Sequence, residues 1–488
     1  MSNVLFSHSY FYKMDSKQWE TGMPYPPLGT IYAASFLREN GYEVSLFDVG
    51  LKDSPKEIEG ILKSSNPKYF VIYDDGFNYL TKMCLTNMRE AAFEMIGEAK
   101  KQGCKVIVSN SDSTDHFEKY LDNGADIVIL GEGEITLLET LKALDKNESL
   151  DSIKGICFTK GGDIVNNGGR EVLRNLDFLP QPAWDLVDVE SYKAAWTSKH
   201  HPFALNIATT RGCPYKCNWC AKPIYGNRYN SRSPLRVVDE IQFLSDTHGV
   251  TNFWMCDDIF GLKPNWVQKF DETLLENNLK ISFKIQSRAD LLLKENNIDS
   301  LVSSGLKEVW IGAESGSQGI LDAMDKGTTI KQIEDSTKLL QQKDVRVAFF
   351  IQYGYSGETK EDIDKTIALI KRCKPDDIGI SVSYPLPGTK FYEAVKNQLK
   401  EKKNWTDSND LAMMFSGTFN QGFYKKLHSY THKTFQKTRG LDALKGLLKN
   451  PLSINSSKLK TILKLPVYWI LGWKEKLELS KMENVNKV

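Results

Sequence analysis

Two long series of alternating strands and helices constrain the fold of this 488-residue chain more than any other feature. In each series, short apolar runs such as YFVIYDD are followed by amphipathic stretches such as PLRVVDEIQFLSDTHG. Strands that are apolar throughout are buried on both faces, which is typical of parallel sheets covered by helices. The pattern therefore predicts an α/β protein.

The two series predict different architectures. Residues 1–150 are predicted to form a doubly wound, Rossmann-like parallel sheet with helices on both faces. Residues 151–202 are interpreted as a glycine-rich hairpin and a linker, because prolines and aromatic residues interrupt the periodicity there. Residues 203–395 contain six strand–helix units, fewer than the eight of a full barrel, and predict a partial (β/α)6 barrel. Residues 396–488 are predicted to be a small helical, Lys-rich region.

Charge and hydropathy argue against several classes of protein. The 63 Lys and Arg residues nearly balance the 62 Asp and Glu residues, so no nucleic-acid partner is expected from bulk charge. No stretch of about 18 apolar residues occurs, so no transmembrane helix is expected. Eight cysteines in so long a chain do not form a secreted disulfide framework, and a cytoplasmic location is expected.

Three cysteines lie close together in TTRGCPYKCNWCAKP, just after the first strand of the second series. Cys213, Cys217 and Cys220 are separated by spacings of four and three, and Trp219 precedes the last of them. Thiolates are the usual ligands of iron–sulfur clusters. Because the loop has no fourth cysteine, the pattern predicts a four-iron four-sulfur cluster with one iron open to a further ligand.

Other interpretations of this loop fit less well. Zinc would need a fourth Cys or His at a suitable spacing, whereas His200 and His201 precede the loop beyond a strand. A buried structural trio conflicts with the polar Lys216 and Asn218, and a redox or catalytic thiol does not need three cysteines. The five other cysteines are interpreted as small core residues: Cys84, Cys104, Cys157, Cys256 and Cys373.

Cys-x3-Cys-x2-Cys with an aromatic residue before the third cysteine resembles the signature of the radical S-adenosylmethionine (SAM) superfamily. The segments PYPPLGTIYAASFLRENGYEVSLFD, ADIVILGEGEITLLE and LDFLPQPAWDL resemble members with an N-terminal cobalamin-binding-type domain. This class includes the anaerobic magnesium-protoporphyrin monomethyl ester cyclase and cobalamin-dependent radical methyltransferases. The resemblance implies that SAM binds the open iron and is reductively cleaved to a 5′-deoxyadenosyl radical. It also implies cobalamin and an external electron donor such as flavodoxin or ferredoxin.

Further segments of the second series, FWMCDDIFGLKP, WIGAESGSQGILDAMDKGT and YGYSGETKEDI, resemble landmarks of the same class. Their polar residues fall at the carboxyl ends of predicted strands, where barrels build their sites. Asp257 or Asp258 is expected to accept a bond from the methionine ammonium of SAM, and Arg288 to pair with its carboxylate. Glu314 is expected to accept from the ribose hydroxyls. Gly354 is expected to permit a close backbone approach.

Cobalamin has mixed support in the sequence. The Asp-x-His-x-x-Gly fingerprint is absent, so no histidine ligand below the cobalt is expected. Relatives usually carry a Gly-Gly pair where this chain has 109–111, Ser-Asn-Ser, whose side chains would either hydrogen-bond or block the groove. Gly131, Glu132 and Gly133 remain at the crevice beyond a parallel strand, where open sheets bind ligands, and are predicted to bind the cofactor.

Radical SAM chemistry leaves several reactions open. The first hypothesis is a transferase that methylates an unreactive carbon of a small-molecule or lipid-like metabolite. The alternative is an oxidative cyclase, rearrangement or dehydrogenation without methyl transfer, and a third hypothesis is an iron–sulfur electron carrier or sensor. Aromatic residues and lysines in KLPVYWILGWKEKLEL predict either a helix packed on the barrel or a peripheral membrane contact.

Overall fold

A seven-stranded sheet forms the N-terminal part of the protein, whose structure, a computed structural model, describes residues 3–77, 85–399, 404–449 and 456–485. The strand order is β2-β1-β3-β4-β5-β6-β7, and the first five strands are parallel. The strands are β1 (Asn3–Ser7), β2 (Glu43–Phe47), β3 (Tyr69–Tyr73), β4 (Lys105–Ser109), β5 (Ile127–Ile129), β6 (Ile156–Lys160) and β7 (Asp163–Asn166).

Helices connect these parallel strands and bury the sheet. Every residue of β3 is buried, as expected for a central strand covered on both faces. The doubly wound arrangement predicted from the alternating pattern is therefore confirmed. The helices are α1 (Ser16–Thr21), α2 (Leu28–Glu39), α3 (Ile58–Ser65), α4 (Thr86–Lys101), α5 (Ser111–Asp115), α6 (Phe117–Asp122) and α7 (Glu134–Asp145).

The hairpin and linker contribute more structure than the sequence indicates. Strand β6 pairs antiparallel with β5, so the hairpin extends the N-terminal sheet. The linker contains α8 (Val189–Ser198) after two short 3-10 turns, although its periodicity did not predict a helix. The indole of Trp184 donates to Glu240 in the barrel, and the Tyr192 hydroxyl donates to Asp48 in the N-terminal part. The linker thus packs on both regions.

Six parallel strands form the partial barrel, in the order β15-β14-β13-β12-β11-β8. Within this sheet, each strand lies beside the strand of the sheet that comes next along the chain, as expected for repeated right-handed strand–helix units. A separate two-stranded ribbon, β9–β10, flanks the cysteine loop. The strands are β8 (Leu205–Ile207), β9 (Thr210–Arg211), β10 (Asn230–Ser231), β11 (Asn252–Met255), β12 (Ser282–Ser287), β13 (Leu306–Glu314), β14 (Arg346–Tyr353) and β15 (Asp377–Val382).

Local sequence signals set the barrel helices. In α9, the side chain of Ser233 caps the first turn, Pro234 occupies the first helical position, and Gly249 ends the helix in the left-handed region. The barrel helices are α9 (Pro234–His248), α10 (Trp266–Glu276), α11 (Ala289–Leu292), α12 (Asn297–Ser303), α13 (Gln318–Ala323), α14 (Ile330–Gln342), α15 (Lys360–Cys373) and α16 (Lys390–Val395).

Three helices form the described part of the C-terminal region: α17 (Gln421–Lys449), α18 (Ser456–Leu463) and α19 (Leu465–Val485). Helix α17 buries Phe423, Tyr424 and Phe435. The aromatic residues of α19 behave differently, since Trp469 and Trp473 are 65% and 66% exposed. Among the described helices, none combines the length and the apolar character needed to cross a bilayer.

Candidate functional site

A cavity of about 540 Å³ lies between the N-terminal part and the mouth of the barrel. Cys213, Cys217 and Cys220 all line it, as does Trp219, the aromatic residue before the third cysteine. The three thiols are partly exposed and form no disulfide. Three thiols that face one cavity from one loop suit an iron–sulfur cluster by the chemistry of the donor set.

The cysteine loop is held to the barrel chiefly through Asn218. Its backbone N–H donates to the Met324 carbonyl (3.0 Å), and its side-chain amide donates to the Ala323 carbonyl (2.6 Å). The Tyr355 hydroxyl donates to the Asn218 amide oxygen (2.8 Å), and the Phe391 N–H donates to its carbonyl (2.9 Å). The sequence alone indicated only that Asn218 is a polar loop residue, because none of its four partners is near it in sequence.

Arg288 supports the same loop, and its pairing with the SAM carboxylate stays a prediction. Its guanidinium stacks on the ring of Tyr215 at 3.7 Å and donates to the Asp290 carboxylate and to the carbonyls of Lys326 and Gly327. The remaining contact is with the Cys217 sulfur at 4.0 Å.

Glu314 lies at the carboxyl end of β13 and lines the cavity, where it was expected. Its carboxylate accepts a bond from the Lys326 ammonium at 2.7 Å, and both side chains are buried. Burial by itself would lower the pKa of Lys326, but the Glu314 carboxylate keeps that pKa above the ordinary value. A side chain at Gly312 would meet this pair, since an added Cβ would lie 2.7 Å from the Lys326 ammonium nitrogen.

Lys326 was not singled out from the sequence, although it stands in the quoted segment WIGAESGSQGILDAMDKGT. The signal that could have found it is the lone cation among small residues in that segment. Its position beside Glu314 depends on how the chain returns after α13. The pair provides one buried cation and one buried anion in the cavity wall.

The two aspartates after β11 have different surroundings. Asp257 is buried and accepts bonds from the N–H groups of Thr209 and Thr210 and from the Thr209 hydroxyl. Burial raises the pKa of Asp257 to about 7, and these bonds oppose the shift. The oxygens of Asp257 hold the start of the cysteine loop, and the contact of Asp257 or Asp258 with SAM stays a prediction. Asp258 lines the cavity and is exposed.

Gly354 has a close neighbour, as predicted, but the neighbour is not a cofactor. Its backbone has φ of 77°, and an added Cβ would lie 3.1 Å from the Met413 methyl carbon and 3.3 Å from the Tyr424 ring. Gly354 packs against the C-terminal region, and its cofactor role stays a prediction. Its N–H donates to the buried Glu358 carboxylate at 2.6 Å.

The GEGE stretch joins the two regions of the protein. The Arg211 guanidinium, two residues before Cys213, donates to Glu132 at 2.5 Å and to Glu134 at 2.6 Å, and all three side chains are buried. Burial raises the pKa of Glu132, and the charge of Arg211 opposes that rise. The Glu132 carboxylate binds Arg211 and also accepts from the Leu173 N–H, and its role in binding a cofactor stays a prediction.

Among the described residues, a small pocket of about 10 Å³ lies at the carboxyl edge of the N-terminal sheet. Gly131 lines it, but an added Cβ at Gly133 would lie 2.7 Å from the Tyr73 ring. The Asn110 side chain caps α5 by accepting from the Ser113 N–H, so residues 109–111 hydrogen-bond locally. Tyr225, from beyond the cysteine loop, also lines the crevice. The predicted cofactor roles of Gly131 and Gly133 stay predictions.

The wall of the larger cavity also includes residues that the sequence analysis missed. His8, at the end of β1, lines the cavity, and its Nε2 lies 2.9 Å from the Asp48 carboxylate. Trp254, Lys284 and Trp310 line it from the barrel interior. A volume of about 540 Å³ falls in the range of ~300–1,000 Å³ that is typical of sites for organic ligands. The four cysteines Cys104, Cys157, Cys256 and Cys373 are buried, as predicted, and Cys84 lies outside the described residues.

Comparison with known proteins agrees with this geometry. Residues 207–370, which hold the cysteine loop and most of the barrel, match the radical SAM superfamily. The matched residues include Cys213, Cys217 and Cys220, whose spacing carries the resemblance seen in the sequence. The fold is similar to that of the cobalamin-dependent SAM radical enzyme OxsB, solved with aqua-cobalamin bound, which superposes with a TM-score of 0.72 at 18% identity. That match covers 99% of this chain and 80% of OxsB.

Two sequence relatives carry different reactions in their names. An uncharacterized methyltransferase of Pyrococcus horikoshii is 28% identical over 398 residues, covering 78% of this chain and 81% of the relative. The anaerobic magnesium-protoporphyrin IX monomethyl ester cyclase of Cereibacter sphaeroides is 26% identical over 305 residues, covering 60% of this chain and 49% of the cyclase. Methyl transfer and cyclisation, two of the reactions considered from the sequence, therefore each occur in the name of a relative.

Proposed function

We propose that this radical SAM enzyme is a cobalamin-dependent methyltransferase that acts on an unreactive carbon of a small-molecule or lipid-like metabolite. The observation that carries the proposal is the single cavity that the three cysteines, the Glu314–Lys326 pair and residues of the N-terminal part line together. A cluster, SAM and a second cofactor would then share one water-poor space.

Cys213, Cys217 and Cys220 would hold three irons of a [4Fe-4S] cluster and leave the fourth iron open. When bound, such a cluster supplies the electron that cleaves SAM to a 5′-deoxyadenosyl radical. Asn218 and Arg288 hold the loop that carries these thiols against the barrel. An external flavodoxin or ferredoxin is proposed as the electron source.

The barrel residues beside the loop would position SAM. Glu314 is oriented by the Lys326 ammonium and would accept from the ribose hydroxyls. Lys326 would attract the SAM carboxylate, since its ammonium has three donors. Asp258 would accept from the methionine ammonium. The absence of a side chain at Gly312 leaves room beside this pair.

Cobalamin would lie between the N-terminal part and the barrel, where residues of both regions line one cavity. His8, Tyr10 and Asp75 are the residues of the N-terminal part that would contact it there. When bound, cobalamin supplies a methyl group for transfer to the substrate carbon. We favour methyl transfer over cyclisation, and the methyltransferase relative is 28% identical to this chain against 26% for the cyclase.

Anaerobic purification and reconstitution, with quantitation of iron, sulfide and corrinoid, tests the proposal. The expected protein has four irons and about one corrinoid, and with a reductant it releases 5′-deoxyadenosine and S-adenosylhomocysteine. A substrate product that is heavier by one methylene identifies methyl transfer. Deoxyadenosine release by protein that cannot be loaded with corrinoid would instead support the cyclase or dehydrogenase alternative. Failure to cleave SAM would contradict both.

A further inference from the structure

The C-terminal helix α19 is apolar on the face that points away from the protein. Val467, Ile470, Trp473 and Leu477 recur every three or four residues, and they are 52%, 64%, 66% and 44% exposed. Residues at this spacing share one helix face. Leu463 in α18 continues the surface and is 70% exposed. We call these five residues the outer stripe.

The opposite face of α19 is the one that packs on the protein. Leu465 lies against Gly440 of α17, Gly472 faces Lys433, and Met482 lies near Gly422. Glu475 is buried and pairs with Lys433, while the Ser429 hydroxyl donates to it at 2.8 Å. Packing on α17 therefore accounts for the inner face and leaves the outer stripe without a role in the fold.

The charges around the stripe are mostly positive. Six lysines and three glutamates lie within residues 456–485. Each glutamate pairs with a lysine of another helix, Glu475 with Lys433, Glu478 with Lys426 and Glu483 with Lys360. All six lysines are exposed: Lys458, Lys460, Lys464, Lys474, Lys476 and Lys481. The surface around the stripe therefore carries a local excess of positive charge.

We propose that the outer stripe docks on the surface of an anionic lipid bilayer. Tryptophans such as Trp473 favour the membrane interface, where the ring is buried and the indole N–H stays hydrated. Lysines bordering an apolar stripe attract anionic headgroups and can extend around it. A protein partner or a second copy of this chain fits less well, because protein interfaces are depleted in lysine.

This inference does not depend on which reaction the barrel catalyses. The stripe lies on the C-terminal helices, and none of its residues lines the cavity. Docking through α19 would bring the whole protein to a bilayer while leaving the barrel intact. It would place a lipid-like substrate near the enzyme, but the docking itself is tested without a substrate.

Vesicle flotation with the full-length, reconstituted protein tests the proposal. The wild type is expected to float with phosphatidylcholine vesicles that contain phosphatidylglycerol, less with pure phosphatidylcholine, and less at high salt. The double variant Ile470→Ser, Trp473→Ser is expected to lower the partition coefficient by about tenfold or more, because two side chains no longer enter the bilayer. The variant Lys474→Gln, Lys481→Gln is expected to lose only the dependence on anionic lipid.

Leu275→Ser provides the matched control, since Leu275 lies in α10 and is 64% exposed, like Ile470. It is expected to float like the wild type. Equal flotation of the Ile470→Ser, Trp473→Ser variant, with unchanged iron content and helicity, would overturn the proposal. So would a wild type that floats with neither vesicle. If light scattering then shows a dimer that the double variant loses, the stripe is an interface between copies of the chain instead.

Discussion

Parallel strands end at an open edge twice in this protein, and the two edges differ greatly in the space that they leave. At the barrel, a cavity of about 540 Å³ remains, whereas about 10 Å³ remains at the edge of the N-terminal sheet. Both edges follow the general rule that places ligand sites at carboxyl ends of parallel strands. The rule identifies the edge, but the side chains there determine whether a site exists.

Several side chains occupy the N-terminal edge. The Asp74 carboxylate accepts from the N–H and the hydroxyl of Ser9, so it lies over the neighbouring strand. Tyr225 enters from the barrel side and stacks on Phe77, with ring centroids 5.7 Å apart. At the barrel edge, by contrast, Gly312 and Ser381 leave space in the wall. Among the described residues, the N-terminal part contributes a wall of the barrel cavity, and a small pocket lies at its own edge.

The largest expected effect comes from removing a thiol at the barrel edge. Cys217→Ala should lose the cluster and reduce 5′-deoxyadenosine formation to background, since only two thiolates remain for the irons. Iron and sulfide quantitation and a SAM-cleavage assay measure this. Cys157→Ala, which changes a buried cysteine of the N-terminal sheet, should retain iron and activity. Full iron content in the Cys217 variant would show that the comparison of the two edges is wrong.

The next largest effect is expected from breaking the buried ion pairs of Arg211 with Glu132 and Glu134. Arg211→Met leaves Glu132 and Glu134 buried without their cation, which should lower the free energy of unfolding by about 3–5 kcal/mol. Anaerobic urea unfolding provides the measurement. Arg346→Met removes an exposed pair with Glu308 and should change stability by about 0–1 kcal/mol. Equal effects of the two variants would mean that the buried ion pairs do not hold the regions together.

A smaller effect is expected inside the cavity. Lys326→Met leaves Glu314 buried without its partner, and SAM should bind about tenfold more weakly, since a bond to a charged group contributes roughly 1.5–3 kcal/mol. Equilibrium dialysis of SAM with reconstituted protein measures this affinity. Lys331→Met, at an exposed pair with Asp335, should bind SAM like the wild type. Unchanged affinity in the Lys326 variant would remove the pair from the proposed SAM site.

The smallest effect is expected at Glu358, which is buried and accepts from the Gly354 N–H after β14. Burial raises the pKa of Glu358 to about 8, and the bond from the Gly354 N–H opposes that rise. The folded state therefore holds a proton that the unfolded state releases, and stability should fall by about 1 kcal/mol per pH unit as pH rises from 6 to 7. Glu358→Gln should lack this contribution when unfolding curves are compared across that range. Identical pH dependence in the two proteins would show that Glu358 is charged when folded.

Much of the fold and one part of the site could be predicted from the sequence. The alternation of apolar and amphipathic segments determined both sheets, because periodicity reports burial directly. The spacing of Cys213, Cys217 and Cys220 determined that the three thiols share one loop, since residues so close in sequence cannot lie far apart. The cluster prediction therefore needed no tertiary information.

Only the tertiary structure decided how the other polar residues are used. Arg288 and Asp257 stand where SAM contacts were predicted, yet their bonds are made to the cysteine loop. Glu132 binds Arg211, which is 79 residues away in sequence. A sequence shows which polar side chains lie at the end of a strand. The residue that pairs with each of them comes from a distant segment of the chain. The physical reason is that buried charges and donors must be paired, and that pairing is set when the chain closes in three dimensions.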